Sequence, residues 1–151
     1  MPLGSWTKSS PNSVTTPIVV TPIGVVRSAL RDPRDAPNQA FEGAPPATLE
    51  ISPDFLPALH LVSAGMELIL VTWLHEADRS VQQTHPMDDE RIPLTGVFAT
   101  RSPDRPNPIG LHRVTVTHIQ PPASIHVDAL EAVDGTPILD LKVAISDAAD
   151  A

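Results

Sequence analysis

Apolar residues along this chain come in short, β-branched runs punctuated by turn residues, a rhythm that predicts strands more than helices. Residues 18–26 form the first run, with Pro22 and Gly24 suggesting an edge strand or a bulge. Residues 31–46 are dense in Pro, Asp and Arg and read as loop. Residues 47–51 make a short strand. Ser52-Pro53-Asp54 supplies an N-cap, a first-turn proline and an acid favoured by the helix dipole, so a short helix is expected over 53–62. Residues 66–74 are a nearly unbroken apolar run, as in a strand buried on both faces. Residues 75–91 are a long polar loop, and loops of that length are usually functional or mobile. A strand is expected at 94–99, and 111–119 alternates apolar and polar like a half-buried strand. Runs at 124–133 and 136–145 flank Asp134-Gly135, a strong hairpin signal. There is no internal repeat and no parallel βαβ rhythm. The expected fold is therefore mainly β, a single-domain antiparallel β-barrel with a short helix and long functional loops, since closure removes exposed edges.

Composition refines this picture. A chain of 151 residues with 41% hydrophobic content suits one domain with a real core and excludes a disordered chain. No apolar run reaches the length of a membrane span. Residues 1–16, rich in Ser, Thr, Pro and Asn, are expected to be a disordered lead without the apolar stretch of a secretory signal. The barrel is expected over 17–147, with 148–151 a tail. Zero cysteines exclude disulfides, cysteine nucleophiles and thiolate metal sites, which suits a cytoplasmic protein. Ten basic residues against eighteen acidic ones leave a net charge of −8, a balance that argues against tight autonomous RNA binding. Arg101, Arg105 and Arg113 are the residues available for a local basic patch. Zero Tyr and three Phe leave few platforms for stacking bases.

The chemistry concentrates in segment 96–114, GVFATRSPDRPNPIGLHRV. Pro103, Pro106 and Pro108 fix φ and push the residues before them to extended geometry, so the loop is stiff. It presents Arg101, Ser102, Asp104, Arg105 and Asn107, either as a preorganised site or as a solvated connection between strands. No phosphate loop or dinucleotide fingerprint is present. His75 with Glu76, and His85 with Asp88 and Asp89, share one polar segment, but His60, His112, His118 and His126 are scattered without metal-ligand spacing, so no metal site is expected.

Segment 96–114 closely resembles the signature of the TsaA-like family, whose best-understood members are S-adenosylmethionine-dependent methyltransferases that N6-methylate threonylcarbamoyl-adenosine in tRNA. Pro22-Ile23-Gly24 with Ser28, His75 after an apolar strand, and Asp134-Gly135-Thr136-Pro137 before Ile138-Leu139-Asp140-Leu141-Lys142 are similar to the family's opening strand, histidine and closing hairpin. The resemblance implies a barrel that pairs into a homodimer and a cofactor site built from several loops across its interface. It implies cofactor contacts at Pro37, Asn38, Gln39, His75, Glu76, Arg101, Leu111, Asp134, Gly135, Thr136 and Pro137, and catalytic roles for His75, Arg105 and Asn107. Asn38 stands where the family has an arginine, and the aromatic and proline residues usual near the barrel's end are missing, although Asp147 keeps the acid.

Arg101 suits a carboxylate, Gly135 allows close backbone approach, Leu111 suits an adenine face, and His75 suits a proton acceptor. The same residues have structural counterparts: a hydrogen-bonded histidine at a strand end, arginines that cap carbonyls or pair with Asp104, and the aspartate-glycine pair of any tight hairpin. The acidic balance, and the expectation that no additional C-terminal domain follows the barrel, argue against tRNA as the partner. A small-molecule methyltransferase of the same fold and a non-catalytic module that binds S-adenosylmethionine or a nucleotide are the alternatives. No membrane partner is expected.

Overall fold

The computed structural model describes residues 16–37 and 42–145. Among the described residues eight strands form: β1 (Gly24–Ser28), β2 (Ala47–Ile51), β3 (Glu67–Trp73), β4 (Gln83–Thr84), β5 (Thr95–Gly96), β6 (Ile109–Gln120), β7 (Ser124–Val127) and β8 (Pro137–Val143). Six of them close an antiparallel barrel in the order β1-β2-β7-β6-β3-β8, with β8 returning to β1 through Gly24 and Val25. β4 and β5 pair separately as a small ribbon.

β6 is long enough to serve two neighbours. Its first half pairs with β3 and its second with β7, and the register shifts between Val116 and His118. Alternation along it turns Gly110, His112, Val114 and Val116 into the barrel and leaves Ile109, Leu111 and Arg113 outside. Inside, Val114 and Val116 join Val26, Leu49, Leu68, Leu70, Ile125 and Ile138 in one buried cluster. Each such fully buried side chain contributes about 1.5–3 kcal/mol, which is the main force holding the closed sheet.

The antiparallel register gathers the ends of β1, β3 and β7 and the starts of β2, β6 and β8 at one end of the barrel. Three connections, 29–46, 74–108 and 128–136, leave from that end, which forms a mouth. The opposite end carries the 52–66 connection and the short 121–123 link. Among the described residues, no helix is long and apolar enough to cross a membrane.

Four local expectations are corrected. The apolar run 18–26 becomes strand only from Gly24, because Pro22 cannot donate to a ladder, and Ile18 and Val19 stand 88% and 90% exposed. Gly24 is neither an edge nor a bulge: it pairs with both Ile51 and Ile138 in unbroken register, and a Cβ there would collide with the carbonyl oxygen of Glu50. The helix expected over 53–62 is a 3₁₀ segment, Pro53–Leu59, kinked at Phe55. Ser52 Oγ caps it by accepting from Asp54 N, but Pro57 has no N–H for an α-helical ladder, and Leu61 leaves with φ 71°. The strand expected at 94–99 shrinks to β5, followed by a 3₁₀ turn over Val97–Ala99.

The fourth correction concerns the hairpin. Runs 124–133 and 136–145 do not pair with each other, since β7 lies between β2 and β6 while β8 lies between β1 and β3. Asp134-Gly135 does turn the chain tightly, with Thr136 N donating to Val133 O and Gly135 at φ 83°. That turn hooks onto β1 instead: Gly135 N donates to Val26 O, and Asp134 N to Leu30 O.

Candidate functional site at the barrel mouth

The proline-rich loop is fastened from both sides. Arg105, half-buried, donates from Nε to Ser102 O (2.7 Å) and from one terminal nitrogen to Val97 O (3.0 Å) and Thr100 O (2.7 Å). These three carbonyls sit where no strand partner is available, so one guanidinium supplies what a sheet ladder would. Arg79 reaches across from the preceding segment, donating to Pro106 O (2.8 Å) and Asn107 Oδ1 (3.2 Å). Its guanidinium carbon also lies 5.1 Å from the centre of the Trp73 ring. Asp104 Oδ1 accepts from Asp78 N (2.8 Å), and Leu74 N donates to Pro108 O (2.8 Å). The Asp78 carboxyl is held below the usual carboxylate range by hydrogen bonds from the Ser80 hydroxyl and backbone, so it stays ionised in the segment that docks the loop.

The turn at 134–137 is anchored in the same way. Asp134 Oδ1 accepts from Ser28 N (3.0 Å), and Oδ2 from Arg31 (3.1 Å). Thr136 is buried and its hydroxyl donates to Val133 O, while Pro137 opens β8. Leu130 and Ala132 of the 128–136 connection belong to the buried core cluster, so this connection closes over the mouth.

The residues that sequence reasoning selected therefore divide. Arg105 caps carbonyls and Asn107 accepts from Arg79, so both hold the loop in shape. His75 and Glu76 are exposed just beyond β3, and Arg101 is exposed on the proline-rich loop. Leu111 lies on the outward face of β6, 43% exposed beside Ile109 at 46%. Pro37 is half-buried in the 29–46 connection, and Asn38 and Gln39 lie outside the described residues. All the described ones sit at the mouth or on its outer rim. Among the described residues, no group of three or more His, Asp or Glu side chains is placed to hold a metal ion.

Sequence reasoning missed one arrangement. His112 is buried inside the mouth, with Nε2 2.7 Å from Thr72 Oγ1 and Nδ1 in close contact with Glu131 Oε1. The sequence carried a signal for it: a histidine falling in phase with Gly110, Val114 and Val116 must face inward and find polar partners there.

The comparisons with known proteins identify this architecture. The family described as the tRNA-methyltransferase O N-terminal domain matches residues 25–150. This chain belongs to that family. Its relatives include VirR of Rhizobium radiobacter, named a probable S-adenosyl-L-methionine-binding protein, which is 41% identical over 120 residues, 80% of this chain and 67% of the relative. A protein of Methanothermobacter thermautotrophicus with the same description is 34% identical over 83% of this chain and 88% of its own length. Two crystal structures of TrmO from Pseudomonas aeruginosa superpose with TM-scores of 0.68 at 31% and 28% identity, covering 89% and 91% of this chain. The chain spans 58% and 61% of those TrmO chains, so the likeness concerns their barrel-sized part.

Proposed function

We propose that this TrmO-family barrel binds S-adenosylmethionine at its mouth and transfers the methyl group to a nucleophilic nitrogen, with threonylcarbamoyl-adenosine in tRNA as the acceptor. The observation that carries the reading is the proline-rich loop, fastened by Arg105 and Arg79 at the mouth of a barrel of this family. The names of the relatives support the cofactor. The donor set suits it chemically. Leu111 and Ile109 offer exposed apolar surface for an adenine, and Arg101 a guanidinium for a carboxylate. Glu76 and Asp134 offer carboxylates for an ammonium or ribose hydroxyls, and Gly135 an unobstructed backbone.

S-adenosylmethionine, when bound, supplies a methyl group activated by a cationic sulfur. The chain's own task is to hold an acceptor in line with that methyl, which stiff loops on a closed barrel are suited to do. His75, exposed after β3, is assigned the proton released by the attacking nitrogen. The exposed apolar patch at Ile109 and Leu111 suits a second copy of the chain, and the site is read as shared between two copies.

Calorimetric titration with S-adenosylmethionine tests the cofactor, and transfer of labelled methyl to tRNA from a strain lacking the modification tests the acceptor. Saturable binding with incorporation into tRNA is expected; no binding at millimolar cofactor refutes the reading. The net charge of −8 favours a second reading, a small-molecule acceptor, which predicts incorporation into a metabolite extract and none into tRNA.

A further inference from the structure

We infer that His112 is a positioning residue of the mouth, acting through Glu131 on the turn that carries Asp134, Gly135 and Thr136. The inference rests on the cofactor reading above and adds to it a part of the machinery that lies inside the barrel.

Three elements meet at this histidine. Thr72 comes from the end of β3, His112 from the start of β6, and Glu131 from the connection that covers the mouth. Thr72 is fully buried and His112 is 6% exposed. A carboxylate can only accept, so Glu131 Oε1 accepts the hydrogen bond of Nδ1–H, and with the ring's single proton on Nδ1, Nε2 accepts from the Thr72 hydroxyl. The order hydroxyl, imidazole, carboxylate is that of a hydrolytic triad. Burial excludes that use, because no acyl group reaches a Thr72 hydroxyl with no exposed surface.

The network is joined to the proline-rich segment through Gly110. A Cβ at that position would lie 2.5 Å from Thr72 Oγ1 and 2.6 Å from His112 Nε2. Gly110 therefore leaves the space in which the Thr72–His112 bond forms, and the segment's glycine and the buried histidine work as one device. On its other side, Glu131 stands three residues before Asp134, in a turn whose backbone is tied to β1. The network thus links the strand that delivers His75, the strand that carries Leu111, and the 134–137 turn.

Stability alone is a poor reason for this arrangement. Glu131 Oε2 is buried with no hydrogen-bond partner among the described residues, a cost that an apolar side chain would avoid. Its counterpart Oε1 is spent on His112, so the carboxylate serves to hold the covering connection at a fixed place over β6.

The test is calorimetric titration of the full chain with S-adenosylmethionine, at a temperature where circular dichroism shows every variant folded. His112→Ala and Glu131→Ala are each expected to bind about tenfold or more weakly, since small misplacements of a positioned group carry such penalties. His112→Asn, whose amide nitrogen occupies the place of Nδ1, keeps the bond to Glu131 and is expected to restore most of the affinity. Ile125→Ala, a cavity elsewhere in the core, is expected to melt lower yet bind like the wild type. If His112→Ala does not fold, Glu131→Ala decides alone. Wild-type affinity in both alanine variants overturns the positioning role, as does a His112→Asn that binds no better than His112→Ala. A wild-type protein that does not bind S-adenosylmethionine overturns the cofactor reading itself, and the positioning role with it.

Discussion

Replacing Gly110 with alanine isolates the packing inside the mouth. The added Cβ would lie 2.5 Å from Thr72 Oγ1 and 2.6 Å from His112 Nε2, well inside contact distance. Neither atom can swing aside cheaply, because they bond each other at 2.7 Å and His112 is held from its other side by Glu131. Breaking the bond leaves a buried hydroxyl and a buried ring nitrogen unpaired, at a cost of about 1–3 kcal/mol. Forcing a methyl into a packed core costs about 1–3 kcal/mol more. Against this, Gly110 is not in the left-handed region, so alanine recovers roughly 0.5–1 kcal/mol of strand propensity and chain entropy. The net loss is about 1–5 kcal/mol, centred near 3, and at that central value lowers the melting temperature by roughly 10 °C in a domain of this size. Urea unfolding and thermal melts followed by circular dichroism measure it. In a Thr72→Ala background the clashing oxygen is gone, and the same glycine substitution should cost about 1 kcal/mol less, because neighbouring changes couple. A loss under about 0.5 kcal/mol, or an equal loss in both backgrounds, refutes the reasoning.

Three further outcomes follow from the loops. Arg105→Lys should destabilise by about 1.5–3 kcal/mol and speed proteolysis within 97–108, because one ammonium cannot serve the carbonyls of Val97, Thr100 and Ser102 together; wild-type stability would remove its capping role. Arg101→Ala should weaken S-adenosylmethionine binding while stability stays within about 0.5 kcal/mol, as for an exposed loop residue; a variant that unfolds while its folded fraction binds normally makes Arg101 structural. Asp32 caps the 3₁₀ turn Pro33–Asp35, and hydrogen bonds from the Arg34 side chain and backbone lower its carboxyl from 3.8 to about 2. A depressed carboxyl stabilises the fold fully above its unfolded value and loses that contribution as pH falls from 3.8 through about 2. Carboxyl NMR should therefore find its midpoint near 2, returning toward 3.8 in Arg34→Ala, and a wild-type midpoint near 3.8 would contradict the pairing.

What the sequence revealed and what it withheld have physical reasons. β2 was legible to the residue because Pro46 and Ser52-Pro53 punctuate both of its ends. The apolar run at 18–26 misled because hydrophobicity does not say whether anything covers a residue, and nothing among the described residues covers Ile18 or Val19. Asp134-Gly135 encodes a tight turn locally, but strand partnership is decided by closure of the whole sheet, which set β7 and β8 apart. The proline-rich loop announced its stiffness through Pro103, Pro106 and Pro108. Its fastenings were hidden, because Arg79 and Asp78 meet Asn107 and Asp104 across 28 and 26 residues. His112 lies between these cases. Its direction was written in the alternation of β6, where every second residue from Gly110 to Val116 faces inward. Its partners were not, since Thr72 is 40 residues before it and Glu131 19 after, and only barrel closure brings them together. A polar side chain in phase with an apolar stripe thus shows that a buried network exists before its members can be named, and in this chain the network sits directly beneath the loops that carry the candidate site.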